Sequence, residues 1–201
     1  MNCSRAGIAI RGAVPWTPMG DRIVAVYGSS RAVPGDGVYE QGVELGRRLV
    51  EAGFGGTNGG YSGLMEAVSK GAAIAGGRVV GVTAPVLFPH RPGGNGFLTE
   101  EIQAAGLLDR IRTMSELASA FIVMPGSIGT LTELMIAWND AYLAAGRGAA
   151  PMPILAFGDA WSEIVDRLTG ELRTTAGLVT MVDSPAEAVE VLRRRLGDGA
   201  R

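Results

Sequence analysis

A carboxylate follows a glycine-rich turn in residues 124–133 of this chain. The apolar run 120–123 before the turn predicts a buried parallel strand, and residues 134–138 after it predict a helix. Small residues between a strand and a helix leave backbone N–H groups free at the positive end of the helix dipole, which suits a phosphate. Glu133 would then lie one helical turn beyond the phosphate, where the sugar of a nucleotide would be. A helix-capping acid would have the same spacing from Thr130, so two interpretations of Glu133 stand.

Two further turns rich in glycine and serine, at 28–30 and 58–63, also follow predicted strands. The carboxyl ends of parallel strands meet at one end of the sheet, so these turns and the turn at 125–130 are expected to converge. Their convergence is stronger evidence for a ligand site than any one turn. Tyr61 and Met65 are candidates to line a base pocket, although a core position is the better interpretation of Met65.

Two common nucleotide-binding motifs are missing. No G-x-G-x-x-G follows the first predicted strand, so the fingerprint of a nicotinamide dinucleotide site is absent. No G-x-x-x-x-G-K-[ST] occurs either, which excludes a P-loop nucleotide triphosphatase.

The composition excludes several classes of function. The 201 residues carry a formal net charge of −2, which gives a general nucleic-acid role no electrostatic support. Cys3 is the only cysteine and His90 the only histidine, so an intrachain disulfide and a multi-histidine metal site are excluded. We expect His90 to be a loop residue, and we expect neither a metal nor an organic cofactor.

Strand and helix patterns alternate along the whole chain. This alternation predicts an α/β fold, a Rossmann-like doubly wound parallel sheet with helices on both faces. Pro and Gly residues interrupt 84–98, which we interpret as a loop over one end of the sheet, of the kind that often serves function. The predicted strands are 23–27, 54–57, 78–83, 101–104, 120–123, 153–157 and 178–182, and the predicted helices are 37–52, 64–75, 108–119, 134–138, 160–171 and 185–196.

The two ends of the chain differ in character. Residues 1–20 are a poor signal peptide, because their apolar stretch is short and broken by Pro and Gly, and we expect a flexible extension there. Residues 21–201 are expected to form a single nucleotide-binding domain. No apolar run approaches the roughly 18 residues of a membrane span. The expected location is cytoplasmic, with no membrane or nucleic-acid partner.

Two segments resemble signatures of one family. Residues 125–130 with Glu133 resemble the P-G-G-x-G-T-x-x-E motif of the Lonely Guy family, and residues 59–65 resemble its G-G-G-x-x-G-L-M motif. The order of elements matches over 22–196. Established members are cytokinin-activating phosphoribohydrolases, which release the base and ribose 5-phosphate from a nucleoside 5′-monophosphate. Many relatives carry the label lysine decarboxylase, and related folds include a molybdenum-cofactor carrier.

The resemblance assigns roles to individual residues. It implies that Glu133 is the catalytic glutamate and Arg110 the catalytic arginine, although a surface arginine is an equally good interpretation of Arg110 taken alone. The implied phosphate- and nucleotide-binding residues are Gly28, Ser29, Ser30, Gly59, Gly60, Gly63, Met65, Pro125, Gly126, Ser127, Ile128, Gly129 and Thr130. The resemblance also implies a homodimer, for which the apolar helix at 134–138 offers a face.

The chain departs from the family pattern at four positions. Ile111 stands where the family has a lysine beside the arginine, so a cation near the phosphate or ribose is lost. Ser127, Asn58 and Glu66 replace glycines of the two motifs. Ile111 and Ser127 favour an alternative function, a non-catalytic binder or carrier of a nucleotide-like ligand such as molybdenum cofactor, whereas Arg110 and Glu133 favour the enzyme. A pyridoxal-phosphate decarboxylase is not expected, because Lys70 is the only lysine and lies late in a predicted helix.

Overall fold

The computed structural model describes residues 22–91, 93–172 and 174–197, so the predicted extension at 1–20 lies outside the described residues. Strands and helices alternate through this part of the chain. The strands are β1 (Ile23–Tyr27), β2 (Gly55–Asn58), β3 (Val79–Thr83), β4 (Glu100–Gln103), β5 (Ala118–Val123), β6 (Ile154–Phe157) and β7 (Val179–Val182). The helices are α1 (Gly37–Glu51), α2 (Leu64–Ile74), α3 (Leu107–Leu117), α4 (Ile128–Gly146), α5 (Asp159–Glu171) and α6 (Pro185–Leu196).

All these strands pair in parallel in one sheet, in the order β4-β3-β2-β1-β5-β6-β7. The chain builds outward from β1 through β2 to β4, then returns to the other side of β1 and continues through β5 to β7. The strand order therefore reverses between β1 and β5, and open α/β sheets bind ligands at the carboxyl ends beside such a switch point. The predicted Rossmann-like parallel fold is confirmed.

The sheet is covered on both faces. Every residue of β1 and β3 is buried, as expected for central strands of a parallel sheet with helices on each side. One apolar cluster joins the sheet to α1, α2 and α6, and a second joins it to α3, α4 and α5. Leu134 and Trp138 are buried in the second cluster, so these two side chains of the apolar helix predicted as a dimer face pack in the core, whereas Ile136 is half-buried.

Most predicted boundaries differ from the observed ones by one residue, and the larger differences lie at α4 and where α3 meets β5. Helix α4 begins at Ile128, so the end of the glycine-rich turn is already its first helical turn. Helix α3 ends at Leu117, because Ala118 adopts an extended conformation and pairs with Ile23 of β1. Residues 118 and 119, which the helical pattern of 108–119 had included, therefore belong to strand β5.

Helices α1 and α2 pack at backbone contact through glycines. A Cβ atom built on Gly71 would lie 1.8 Å from the carbonyl oxygen of Val43, and one built on Gly46 would lie 2.1 Å from that of Val68. Neither neighbour can yield, because each is main chain inside a helix. The two helices can approach this closely only where side chains are absent.

We expect Gly71→Ala to lower the free energy of unfolding by about 2 kcal/mol or more, because the added methyl forces the two helices apart. Gly170→Ala is the matched control. Gly170 is helical too, but a Cβ there meets nothing within 4 Å, so helix propensity alone should raise stability by up to about 1 kcal/mol. Urea unfolding of both variants checks this, and equal effects would contradict the packing argument.

Candidate active site

A cleft opens at the carboxyl ends of β1, β2 and β5. Residues of all three predicted turns lie on its surface, together with side chains from α3, α4 and the loop at 84–98. Its lining consists of Val26, Tyr27, Gly28, Ser30, Gly59, Tyr61, Met65, Phe88, Arg91, Arg110, Ser127, Gly129, Thr130 and Glu133. The space within it, including the open mouth, is about 580 Å³.

The carboxylate of Glu133 lies in the wall of this cleft. Since α4 begins at Ile128 and Ser127 precedes it, a capping-box acid would belong at position 130, and the capping interpretation of Glu133 is wrong. The Glu133 side chain is only 13% exposed, and its Oε1 lies 3.9 Å from Nη1 of Arg110. Burial raises the pKa of Glu133 to about 7, against the opposing effect of the Arg110 charge.

Arg110 is a buried residue of the site, so its interpretation as a surface arginine is wrong. Its Nε donates to the carbonyl oxygen of Val82 at 2.7 Å, and its Nη2 donates to that of Gly59 at 2.8 Å. These bonds hold the guanidinium against the ends of β3 and β2. Burial lowers the pKa of Arg110 and the Glu133 carboxylate raises it, but an arginine remains charged in either case.

Gly59 makes the position of Arg110 possible. A Cβ atom at residue 59 would lie 1.6 Å from Nη2 of Arg110 and 2.7 Å from Sδ of Met65. Any side chain there would displace the guanidinium from its place opposite Glu133. Gly59, a glycine of the second motif, therefore allows a hydrogen bond with Arg110, which lies 51 positions further along the chain.

The first turn of α4 faces the cleft from the other side. Ser127 precedes the helix without capping it by its side chain, and the N–H groups of the first turn have no partner within the helix. Gly126 has no room for a Cβ, which would lie 2.2 Å from Oγ1 of Thr130. Gly28 and Ser30 line the cleft as well. Main-chain donors and small polar side chains here can hold an anion.

The remaining predicted binding residues do not line the cleft, and Ser29, Gly63 and Pro125 join the turns to one another. The N–H of Ser29 donates to the carbonyl oxygen of Pro125 at 3.0 Å, and the carbonyl of Ser29 accepts from Leu64 N at 2.8 Å. Gly63 has φ +78, and a Cβ there would lie 2.4 Å from the oxygen of Ser29. The others are Gly60, which also has positive φ, Gly126, and Ile128, whose side chain is 77% exposed.

The departures from the family motifs have structural explanations. Ile111 is buried and lines a different hollow with Leu108 and Met152, so the expectation that it removes a cation from this cleft is wrong. Ser127 has φ −122, an ordinary extended value that costs a serine nothing. Asn58 is buried and bonded: its Nδ2 donates to Ser69 Oγ at 3.0 Å, and its Oδ1 accepts from Gly60 N at 2.8 Å.

Sequence reasoning did not identify Tyr27, Phe88 and Arg91 as residues of the cleft. Phe88 and Arg91 come from the loop at 84–98, which has no periodic pattern, although its length and its Pro and Gly content indicated function. Tyr27 was assigned only to a strand. Its hydroxyl is buried, and burial raises its pKa.

Other chemically versatile residues lie elsewhere. His90 is exposed in the loop, and Lys70 lies on α2 with its Nζ 5.9 Å from the ring centroid of Tyr39. No group of three His, Cys, Asp or Glu residues within the described ranges is arranged to hold a metal ion. None of the helices in this part of the chain has both the length and the apolar character needed to cross a membrane.

Several curated proteins are similar to this chain. A cytokinin riboside 5′-monophosphate phosphoribohydrolase of Mycobacterium tuberculosis is 36% identical over 127 residues, covering 62% of this chain and 66% of that protein. The rice phosphoribohydrolase LOG is 37% identical over 121 residues, covering 58% of this chain and 49% of that protein. The chain thus spans about half to two thirds of the length of these relatives.

Solved structures with this fold include molybdenum cofactor proteins. The molybdenum cofactor binding protein of Rippkaea orientalis superposes with a TM-score of 0.70 at 21% identity, covering 89% of this chain and 99% of that chain. A Chlamydomonas Moco carrier protein superposes with a TM-score of 0.65 at 25% identity, covering 88% and 98%.

The family model described as possible lysine decarboxylase matches residues 65–192. This segment includes Arg110, Glu133 and the turn at 125–130. Since the match covers more than half of the chain, the chain belongs to this family, the Lonely Guy family that its two motifs predicted.

Proposed function

We propose that this chain is a nucleoside 5′-monophosphate phosphoribohydrolase, which hydrolyses the N-glycosidic bond of an adenine nucleotide, plain or prenylated. The observation that carries the proposal is the buried carboxylate of Glu133, held 3.9 Å from Arg110 in the wall of the cleft and five residues after Ile128, where α4 begins without a side-chain cap. A carboxylate and an anion-binding helix start in the same cleft are what a ribose and its 5′-phosphate would require.

The phosphate would bind at the first turn of α4. Backbone N–H groups of residues 128–130 donate there, and Ser30 and Thr130 add hydroxyl groups. The helix dipole favours the anion further. The nucleotide would bind better than its nucleoside, because the nucleoside has no phosphate to accept hydrogen bonds from these groups.

The reaction would take place at C1′ of the ribose. As the bond from C1′ to the base nitrogen breaks, its electron pair leaves with the base and positive charge develops on the sugar ring. Ionised Glu133 would stabilise this charge and orient a water molecule. The water oxygen bonds to C1′, one of its protons goes to the departing base, and the other remains on the new 1′-hydroxyl, which yields free base and ribose 5-phosphate.

Arg110 would position the carboxylate. Its bonds to the carbonyls of Val82 and Gly59 fix it, and its charge limits the rise in the pKa of Glu133, so that part of the population is ionised at neutral pH. The names of the curated relatives support this reading, since they are phosphoribohydrolases acting on cytokinin riboside 5′-monophosphates.

The label lysine decarboxylase suggests another chemistry, but the chain offers little for it. An aldimine with pyridoxal phosphate needs a lysine in the site. The single lysine, Lys70, lies on α2 beside Tyr39 and does not line the cleft. We therefore do not propose amino acid decarboxylation.

A second candidate function is a carrier of a nucleotide-like ligand such as molybdenum cofactor. The similarity to a Moco carrier protein at 25% identity over 88% of the chain favours it. A carrier would use the anion-binding turns, but it would not need a partly ionised carboxylate at the sugar. The Glu133–Arg110 pair therefore favours the hydrolase.

Direct measurement of base release separates the two functions. Purified protein is incubated with AMP, with N6-prenylated AMP and with adenosine, and free base and ribose 5-phosphate are quantified by chromatography. We expect both products from the monophosphates and far less from adenosine. Tight nucleotide binding without base release would support the carrier and refute the hydrolase.

We also propose that the protein is a homodimer. Leu108 on α3 and Leu143 on α4 are 75% and 46% exposed, and burying such side chains would stabilise an interface. Light scattering tests this: a mass near 21 kDa at all concentrations would contradict it, given a chain mass of 20.8 kDa.

A further inference from the structure

The side chain of Asn58 closes a turn at the end of β2. Its Oδ1 accepts from the main-chain N of Gly60 at 2.8 Å, which is an Asx turn around Gly59. Its Nδ2 donates to the carbonyl oxygen of Met65 at 3.2 Å and to Oγ of Ser69 at 3.0 Å, both on α2. Asn58 has no exposed surface, so water does not compete for these bonds. A buried side chain therefore ties the turn to α2.

Asn58 and Arg110 bind opposite sides of one peptide group. The N–H of Gly60 and the carbonyl of Gly59 belong to the peptide unit that joins these two residues, which is planar and trans. Asn58 accepts from the N–H, and Nη2 of Arg110 donates to the carbonyl oxygen at 2.8 Å. Because the unit is rigid, fixing the direction of its N–H also fixes the direction of its carbonyl. The side chain of Asn58 thereby orients the acceptor that Arg110 binds.

This peptide group needs an anchor from outside the turn. Both of its residues are glycines, and glycine adopts positive and negative φ about equally, so the two residues themselves offer little resistance to rotation of the peptide. A rotated peptide would turn the carbonyl of Gly59 away from Arg110. A larger residue at position 59 cannot restrict the turn, since a Cβ there would lie 1.6 Å from Nη2 of Arg110. The hydrogen bond from Gly60 N to Asn58 supplies the restriction instead.

The bond to Gly59 holds Arg110 where its charge acts on Glu133. Nη1 of Arg110 lies 3.9 Å from Oε1 of Glu133, and its charge opposes the rise in pKa that burial imposes on this carboxyl. The other charged or titratable side chains that line the cleft are Tyr27 of β1, Tyr61 of the second turn and Arg91 of the loop at 84–98. If the guanidinium lost its acceptor at Gly59 and moved away, the pKa of Glu133 would rise further.

We propose that Asn58 is a positioning residue, which acts through the peptide group between Gly59 and Gly60 to hold the guanidinium of Arg110 opposite Glu133. Asn58 does not line the cleft, so it acts on a ligand only through these residues. Its part in catalysis rests on the proposed function, whereas its effect on the Glu133 carboxyl does not require turnover. The asparagine that replaces the first glycine of the family motif thus supports the site.

The pKa of Glu133 tests this without a substrate. Carbon-13 NMR of protein with labelled glutamate follows the Glu133 carboxyl through a pH titration, and the loss of one signal in Glu133→Gln assigns it. Asn58→Ala removes the acceptor for the N–H of Gly60. We expect the pKa of Glu133 to rise by about one unit in this variant, because the opposing charge is no longer held in place. An unchanged pKa would overturn the proposal.

Ser69→Ala is the matched control. It removes a partner of Asn58 in the same buried network but leaves the bond from Gly60 N to Oδ1 of Asn58. The pKa of Glu133 should therefore stay the same, even if the protein becomes less stable. Equal rises in Ser69→Ala and Asn58→Ala would show a general loosening of the site and would overturn the proposal.

Asn58→Ser is the conservative variant. Its hydroxyl can close the same turn more weakly, so we expect a rise in the pKa of Glu133 smaller than that in Asn58→Ala. This variant also serves if Asn58→Ala does not fold, because the pKa should still exceed that in Ser69→Ala. Equal values in Asn58→Ser and Ser69→Ala would then overturn the proposal. A cooperative melting transition confirms that each variant is folded.

The pH profile of base release gives a second measurement. A higher pKa of Glu133 moves the rise of kcat/KM to higher pH, so Asn58→Ala should lose about tenfold at pH 6 and little at pH 9, relative to the wild-type protein. The same loss at every pH would indicate a purely structural role and overturn the proposal. A raised pKa in Asn58→Ala, with no base release by the wild-type protein, supports this inference and refutes the hydrolase. Base release with an unchanged pKa in Asn58→Ala refutes this inference alone.

Discussion

We expect Glu133→Gln to reduce base release from a purine 5′-monophosphate by about a thousandfold, while nucleotide affinity changes by only a few-fold. Glutamine keeps the shape of the side chain but cannot offset the positive charge that develops on the ribose. Loss of one preorganised electrostatic group typically costs this much. The phosphate donors at the start of α4 are unchanged, so ground-state binding persists.

Single-turnover assays with AMP and IMP, combined with calorimetry, check this prediction. Glu190→Gln is the matched control, because Glu190 is exposed on α6 and lies outside the cleft lining. It should retain full activity. Turnover by Glu133→Gln within tenfold of the wild-type protein would remove Glu133 from the chemistry.

The same role predicts a pH dependence. Because the carboxylate acts in its ionised form and its pKa lies at about 7, kcat/KM should rise about tenfold per pH unit below pH 7 and level off above it. The phosphate of the nucleotide titrates near pH 6 and adds to this rise. If Glu133→Gln retains some activity, its kcat/KM should lack the part of the rise with pH that is due to the carboxylate.

We expect the same substitution to stabilise the ligand-free protein by about 3 kcal/mol above pH 7 and by almost nothing below pH 4.5. The pKa of Glu133 rises from an ordinary value of 4.5 to about 7 on folding, and each unit corresponds to about 1.4 kcal/mol. The native state therefore binds this proton more firmly than the unfolded chain does.

The direction of the pH effect follows from this difference. Below pH 4.5 both states are protonated, and the side chain behaves like a neutral glutamine. Between pH 4.5 and 7 the unfolded chain ionises while the native state keeps its proton, so the stability of the wild-type protein falls relative to that of the variant. Above pH 7 both states are ionised, and the buried carboxylate retains its full cost.

Urea unfolding at pH 4, 5.5, 7 and 8.5 measures the gap in free energy of unfolding between Glu133→Gln and the wild-type protein. We expect the difference between Glu133→Gln and wild-type protein to widen over the middle of this range and then remain constant. Glu190→Gln should show no such widening. A gap independent of pH would show that Glu133 keeps an ordinary pKa in the folded protein. The two predictions together describe a residue that lowers stability and supports catalysis.

The local pattern of the sequence was sufficient for the parallel sheet. Apolar runs such as 120–123 predict buried strands, and the alternation with helical patterns requires parallel pairing with helices on both faces. The position of the cleft follows as well, because turns after parallel strands must gather at one end of the sheet. Glu133 and the glycine turn before it are close in sequence, so their relation could be predicted without a structure.

The tertiary structure decided the features that depend on contacts between distant residues. Arg110 looks like any helical arginine until folding brings Gly59, 51 residues away, against its guanidinium. Ile111 was expected to leave the cleft without a cation, because the family has a lysine at this position. Since each helical residue is rotated about 100° from the one before it, the side chain of Ile111 lies in another hollow and not beside Arg110 in the cleft. Local pattern cannot specify such directions.

The cleft residues of the loop at 84–98 illustrate the same division. Phe88 and Arg91 belong to a loop without periodicity, and hydrogen bonds of Asn95 and Ala84 to Gly60 and Tyr61 help to hold them at the cleft. The sequence by itself determined the sheet, the phosphate-type turn and the carboxylate beside it, because these depend on neighbours along the chain. The burial that raises the pKa of Glu133 and the placement of Arg91 depend on long-range packing, which only the folded chain specifies.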